Sequence, residues 1–299
     1  VEDILVVEVQ LSDSFRSGVW NEAGRATGQQ LAFTYSERLG TAYSGFGLIT
    51  PRVTLGLRDY DSWRSGLVRV GANWLPADFW RADFEAGNDI VENLDSIDNR
   101  VKLNYLSGSV DHTFTPRWNA GAGLFLGKFD DGNRRTRFTG RLEYVARFKP
   151  RVSFGLEGLG FRDSKQAFRD VTLRFDNLAI AGEPGLPNVG SITFREAGRG
   201  YYNPKNYAEA KLFGAISYDE DRWSLWAKAA LGSVRETPFD GESSNGIISA
   251  VELSYAYQLT QQTELRASAG RTSSRVSSSE GGGYYRNFAG IYLTHWFDY

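Results

Sequence analysis

The stretch Asn287-Phe288-Ala289-Gly290-Ile291-Tyr292-Leu293-Thr294-His295-Trp296-Phe297-Asp298-Tyr299 closes the chain in a strictly alternating pattern rich in rings. One face carries Ala289, Ile291, Leu293, His295, Phe297 and Tyr299; the other carries Gly290, Tyr292, Thr294 and Trp296. A period of two over this length reads as a strand with two different environments. The ends of soluble domains are usually frayed and polar. In a transmembrane β-barrel the strand ends instead sit in aromatic girdles, and that is the environment this stretch fits.

The rest of the chain obeys the same period. Trp80, Ala82, Phe84 and Ala86 alternate with Arg81, Asp83 and Glu85. Phe138, Gly140, Leu142, Tyr144, Ala146 and Phe148 alternate with Arg137, Thr139, Arg141, Glu143, Val145 and Arg147. Val251, Leu253, Tyr255, Tyr257 and Leu259 alternate with Glu252, Ser254, Ala256 and Gln258, and Leu265, Ala267 and Ala269 with Glu264, Arg266, Ser268 and Gly270. A soluble antiparallel sandwich would also alternate. Its strands, however, are usually about five or six residues long, and polar faces this rich in Arg and Glu cannot pack against a second sheet.

Composition agrees. The 299 residues include 33 Gly and no Cys or Met, with 14% aromatic and 23% charged residues. The mean hydropathy is -0.39, and no run approaches the ~20 apolar residues of a spanning helix. A barrel tolerates such an average because half of each strand faces a polar lumen. Without Cys there is no disulfide framework or thiol chemistry. A net charge of -2 gives no electrostatic case for nucleic acid.

Tight connections at Pro76-Ala77-Asp78, Thr115-Pro116-Arg117, Lys149-Pro150-Arg151, Asp219-Glu220-Asp221 and Thr260-Gln261-Gln262 alternate with longer polar ones. Short turns at one end and long loops at the other are the mark of an outer-membrane barrel. Asp130-Asp131-Gly132-Asn133 is a tight hairpin on the long-loop side. Fourteen segments read clearly as strands, and 163–206 holds two more: one around Val171, Leu173 and Phe175, and a return over Ser191 to Glu196. The expected fold is therefore an all-β, up-and-down antiparallel transmembrane barrel of sixteen strands occupying 1–299 as one domain. Fourteen strands with one long external loop is the alternative.

Function in such a fold lies in the lumen. Strand parity points Arg69, Arg81, Asp83, Glu85, Arg137, Arg141, Glu143, Arg147, Glu157, Arg174, Glu209, Lys211, Glu252, Arg266 and Arg286 inward, along with Asn73, Arg151 and Lys228. Facing lipid, a mid-membrane Arg would cost roughly 2–4 kcal/mol, so these residues line water, a plug or a polar solute. Both signs occur, which argues against a filter for a highly charged polymer. Planar Arg with abundant Tyr and Trp suits hydroxyl-rich chains, whereas mutual pairing of the charges would only hold a wet interior together. Asp83 and Glu85 are expected to find an Arg such as Arg81. Glu85, Asp89, Glu92, Asp95 and Asp98 form an acidic run whose spacing fits no specific calcium loop. His112 and His295 are the only imidazoles; Asp111-His112 has no nucleophile to complete a hydrolase site, so no catalytic residue, metal or cofactor is expected.

Two segments carry a resemblance. Gly200-Tyr201-Tyr202-Asn203-Pro204-Lys205-Asn206-Tyr207 leads into a strand, a short turn and Trp223-Ser224-Leu225-Trp226. Together with Tyr257-Gln258-Leu259-Thr260 through Phe297, they resemble the C-terminal barrels of exopolysaccharide export porins with tetratricopeptide repeats, of the cellulose and poly-N-acetylglucosamine secretion type. The likeness covers about the last hundred residues; the first half shares only the general barrel pattern. It implies a sixteen-stranded passive conduit in the bacterial outer membrane, without catalytic residues. Its partners would be a polysaccharide chain, outer-membrane lipid and lipopolysaccharide, and periplasmic and inner-membrane synthase components. It further implies a periplasmic helical-repeat region upstream of Val1, the chain here being the C-terminal part. Tyr201, Tyr202 and Pro204 would then lie at the extracellular mouth, with 163–206 folding over or into it. The tail departs from the pattern by running on to Asp298-Tyr299 beyond Phe297. A diffusion porin or small-solute channel would share the strands without needing the upstream region, and a barrel enzyme would need a site that these residues do not assemble.

Overall fold

The computed structural model describes residues 2–18, 24–39, 46–60, 63–90, 100–166, 168–174, 191–197, 204–239, 241–276 and 282–298. They form sixteen strands: β1 (Glu2–Gly18), β2 (Gly24–Glu37), β3 (Leu48–Tyr60), β4 (Trp63–Ala77), β5 (Trp80–Ile90), β6 (Lys102–Thr115), β7 (Trp118–Phe129), β8 (Arg134–Phe148), β9 (Arg151–Asp163), β10 (Phe168–Arg174), β11 (Ser191–Ala197), β12 (Asn206–Asp219), β13 (Trp223–Thr237), β14 (Ser244–Thr260), β15 (Thr263–Val276) and β16 (Gly282–Asp298). Among the described residues, all pairings are antiparallel and fourteen strands close a barrel. The closing seam is the pairing of β1 with β16, from Glu2 opposite Asp298 to Gly18 opposite Gly282. Closure satisfies every strand edge, which an open sheet in lipid cannot do.

The sixteen-stranded barrel expected from the sequence is corrected to fourteen. β10 and β11 exist, but among the described residues they pair with each other alone, from Phe168 opposite Ala197 to Arg174 opposite Ser191. The reason lies in the wall: β9 pairs directly with β12 over Arg162–Asn206 to Arg151–Ser217, leaving no gap for a hairpin to enter. Tyr201 and Tyr202 lie outside the described residues. Pro204 is buried just before β12.

Burial follows the predicted parity. Val53, Leu55 and Leu57 on β3, Phe138 and Leu142 on β8, Leu212 and Ile216 on β12, and Val251 and Leu253 on β14 are all exposed on the outer surface. Apolar residues so exposed along successive strands have no place in water; they form the band that faces hydrocarbon. No helix among the described residues is long and apolar enough to cross a membrane.

The tight turns at 78–79, 116–117, 149–150, 220–222 and 261–262 share one end of the barrel with the start of β1 and the end of β16. Rings gather on the outer surface there. Trp118 packs on Tyr144 at 5.0 Å and Tyr218 on Trp223 at 5.3 Å. His112 lies 4.0 Å from Trp80 and 4.5 Å from Phe114. His295 meets Phe297 at 4.6 Å, with Nδ1 3.0 Å from Thr263 Oγ1. Amphipathic rings favour such an interface, so both histidines are girdle residues. Alternation also separates Asp111 from His112: the first faces the lumen and the second the outer surface. In barrels of this type the tight end is periplasmic. The turn Asp130–Asn133 lies at the opposite end, as expected. There Asn133 Oδ1 accepts from the backbone N–H groups of Arg134, Ser164 and Lys165 and from Ser164 Oγ.

Candidate functional site: the lumenal wall

Register carries the inward residues into horizontal rows. One row across β6, β7, β8, β9, β12 and β13 reads Asp111, Gly121, Arg141, Glu157, Lys211, Gly232. The signs alternate along the row, and its charges pair with residues just off it. Arg141 Nη2 donates to Glu143 at 2.8 Å, and Glu143 also lies 3.4 Å from Arg151. Lys211 bonds Glu209 at 2.6 Å, and Tyr207 OH donates to the same carboxylate at 2.8 Å. Lys228 reaches Glu157 from β13. Such pairs keep a wet interior electrically balanced, so the field along the path stays small for either sign of solute.

Rings lie among these cations. The Arg141 guanidinium is 5.3 Å and Lys228 Nζ 5.0 Å from the Phe213 ring centroid. Arg137 sits 4.3 Å over Phe125, which stacks on Tyr105 at 5.1 Å. Arg135 lies between Phe161 at 4.3 Å and Phe129 at 5.2 Å, and Phe161 stacks on Tyr207 at 4.8 Å. Cation–π contacts hold guanidinium groups flat against rings. Arg137 makes no ion pair among the described residues, and its Nε is buried without a hydrogen-bond partner there.

Glycines on the wall let long side chains lie flat. On β4, Gly71 stands between Arg52 on β3 and Glu85 on β5 in register. A Cβ there would meet Phe84 O at 2.5 Å and Arg52 Nη2 at 3.1 Å. Arg52 therefore crosses an entire strand to donate to Asp83 at 2.6 and 2.8 Å and to Glu85 at 3.0 Å. Gly155 makes room for the Phe213 ring and Gly121 for the Asp111 carboxylate in the same way. Barrels of about eight strands are filled by side chains and those of about 16–18 leave an aqueous channel; flat-lying side chains push a fourteen-stranded wall toward the second case.

Two recesses result. One of about 310 Å³ is lined by Asp111, Thr139, Arg141, Glu157, Glu209 and Lys211. Another of about 210 Å³ is lined by Arg141, Glu143, Arg151, Ser153, Ser217 and Trp226. Arg141 lines both, so the two recesses adjoin at its side chain and together make up a track on the wall. The first is near the lower end of the ~300–1,000 Å³ range of small-molecule sites, and its lining alternates donors with acceptors.

Of the residues predicted for the lumen, Arg141, Glu143, Glu157, Glu209 and Lys211 come together in this track, with Arg151 and Lys228. Arg69, Asp83 and Glu85 belong to a separate cluster on β3 to β5, where Asp89 lies 2.5 Å from Arg58 and 3.7 Å from Arg69. Glu92, Asp95 and Asp98 lie outside the described residues, and no cluster among the described residues could hold a metal ion. Arg266 pairs with Glu264 at 3.0 Å on β15. Glu252 stands opposite Lys228 in register, while Arg286 lies on the lumenal parity of β16. The expected Arg81 partner for Asp83 and Glu85 is corrected: the forked donor is Arg52. Arg147 leaves the path, because the register slips between Val145 and Arg147 and its Nε donates to Lys149 O at the rim. Arg174 lies on β10, off the barrel wall, and its side chain lies outside the described residues.

Sequence reasoning missed Arg52, Arg58, Arg135 and the inward rings Tyr105, Phe125, Phe129 and Phe213. The exposed alternation Val53, Leu55, Leu57 was the available signal for the first two.

No protein-family model matches the chain, and no curated protein matches it by sequence. Solved structures do match by fold. The chain is similar to a bacterial polysaccharide outer membrane secretin, with a TM-score of 0.61, 11% identity and coverage of 98% of each chain. It is also similar to the translocator domain of the autotransporter NalP from Neisseria meningitidis, with a TM-score of 0.45, 9% identity and coverage of 99% of this chain and 88% of that one. An anion-selective porin from Comamonas acidovorans gives a TM-score of 0.41 at 12% identity, covering 99% of this chain and 100% of that one. The fold is that of the bacterial outer-membrane β-barrels.

Proposed function

We propose that this protein is an outer-membrane pore that conducts a secreted polysaccharide from the periplasm to the cell exterior, without catalysing a reaction. The observation that carries the reading is the track through Arg141. It sets the Trp226 ring, forked donors and paired carboxylates side by side, with its charges balanced, while the buried Phe213 ring underlies Arg141 and Lys228 and holds them in place. A sugar ring offers an apolar face to stack and a rim of hydroxyl groups that both donate and accept, so such a wall holds it through many weak contacts. Weak repeated contacts are what conduction needs, since a tightly held chain would stall. The overall likeness to a polysaccharide secretin supports the same reading at the level of fold. A diffusion porin, the second reading, is favoured by the wholly paired charges of the β3–β5 cluster.

Efflux from proteoliposomes separates the two. Barrels reconstituted into vesicles loaded with labelled neutral oligosaccharides and with size-matched polyethylene glycols should release the sugars faster. Equal release of both would favour the porin.

A further inference from the structure

The outer surface carries a second charged feature, at the end of the barrel opposite the tight turns. Lys128 and Arg134 face each other across β7 and β8. Both continue the parity of exposed outward residues, Leu124 and Leu126 on β7 and Phe138 on β8. On β9, Arg162 stands opposite Thr136 and shares the outward parity of Phe154 and Leu156. On β13, Arg235 shares that of Leu231 and stands opposite Ala208. All four are exposed, and none makes an ion pair among the described residues. The nearest turn carboxylates, Asp130 and Asp131, each accept a backbone N–H, from Lys102 and Asn133 respectively.

Cations at this height cost only about 0–1 kcal/mol in themselves, and each attracts anionic headgroups by about 1 kcal/mol. They lie on the lipid side of the wall, at the upper edge of the apolar band, where headgroups begin. Four inter-strand steps of ~4.8 Å spread them over about 19 Å. The rim of β3 and β4 is different: there the exposed cation Arg64 is already paired, with Asp59 at 3.2 Å.

We infer that Lys128, Arg134, Arg162 and Arg235 form a docking belt for the headgroup of a bisphosphorylated glycolipid of the outer leaflet. Guanidinium forks match phosphate oxygens in pairs, and the width of the belt suits a headgroup with two separated phosphates better than one with a single phosphate. The apolar surface below, at Leu126 and Phe138, receives the acyl chains. The belt fixes the height and rotation of the barrel in the membrane on the strands that carry the lumenal track. It does not depend on what passes through the lumen.

Native mass spectrometry of the detergent-solubilised barrel, titrated with bisphosphorylated lipid A, tests this. The unmodified protein should retain that lipid. The dephosphorylated form and the single-phosphate lipid phosphatidylglycerol should both be held more weakly. The triple variant K128Q/R134Q/R162Q should lose roughly 150-fold in affinity, from about 1 kcal/mol for each of three surface cations, while R64Q leaves it unchanged. All these side chains are exposed, and heat-modifiable gel mobility would verify folding of each variant. Equal retention of phosphatidylglycerol or of dephosphorylated lipid, unchanged binding by the triple variant, or complete displacement by millimolar inorganic phosphate would each overturn the assignment.

Discussion

Arg135 on β8 and Asp163 on β9 face each other in register, and the guanidinium donates through Nε at 2.7 Å and Nη2 at 2.6 Å to the two carboxylate oxygens. Asp163 is only 1% exposed, and Arg135 is held between Phe129 and Phe161. Breaking a buried pair by removing one partner typically costs about 3–5 kcal/mol, because the other charge stays buried. Asp163→Ala should therefore lower stability in urea-induced unfolding from lipid vesicles by about that amount. The double variant R135M/D163L should recover much of the loss, since it leaves no orphan charge.

Arg52 neutralises two carboxylates from a position two strands away. Arg52→Met should leave Asp83 and Glu85 uncompensated in the lumen and shift the reversal potential under a KCl gradient toward cation selectivity. Asp83→Asn should shift it toward anions. A reversal potential that moves in neither variant would place this cluster away from the ion path.

These two clusters mark how far the sequence could be read. Alternation alone put Arg137, Arg141, Glu143, Glu157, Glu209 and Lys211 on the inner face, because a period of two is a local property. It did not choose partners. Arg81, two residues from Asp83 on the same strand, was the obvious local donor, yet Arg52 takes the carboxylates because Gly71 clears the intervening strand, which only register reveals. The same blindness explains the strand count: β10 and β11 alternate like wall strands, and only the direct pairing of β9 with β12 excludes them. Tyr105, Phe125 and Phe213 were missed because an inward face was expected to be polar, whereas rings there serve as platforms for arginines.

Gly155 sits where a Cβ would meet Phe213 Cε1 and Cζ at 2.5 Å and the Leu142 carbonyl oxygen closer still. Gly155→Ala should cost about 1–3 kcal/mol by overpacking. It should also tilt the Phe213 ring away from Arg141 and Lys228, weakening oligosaccharide binding beyond the loss of stability. Phe213→Leu relieves the ring contact but not the clash with the Leu142 carbonyl, so the double variant should recover only part of the stability and none of the sugar binding. Intrinsic fluorescence quenching by oligosaccharides together with urea titration reads both.

Leu212 and Lys211 are adjacent, yet one meets lipid and the other the lumen. Leu212→Arg places a charge on the outer band and should destabilise the barrel by roughly 2–4 kcal/mol if it lies near the membrane midplane. Lys211→Arg keeps the lumenal charge and should change stability little. Equal effects of the two substitutions in vesicle refolding would contradict the assignment of faces.

Arg137 is a lumenal arginine with no ion pair among the described residues, lying over Phe125. If the wall guides sugars, Arg137→Gln should weaken their contact while leaving the open-pore current nearly unchanged. The readout is the residence time of single oligosaccharides, which should shorten about tenfold, the equivalent of one charge-assisted hydrogen bond at ~1.5 kcal/mol.

The most direct test is single-channel conductance of the refolded barrel in a planar bilayer, with oligosaccharides of increasing length titrated from the periplasmic side. A polysaccharide conduit predicts concentration-dependent block whose residence time grows with chain length, as more units engage the track through Arg141 and Trp226. An open current indifferent to every sugar, at all lengths, would contradict it.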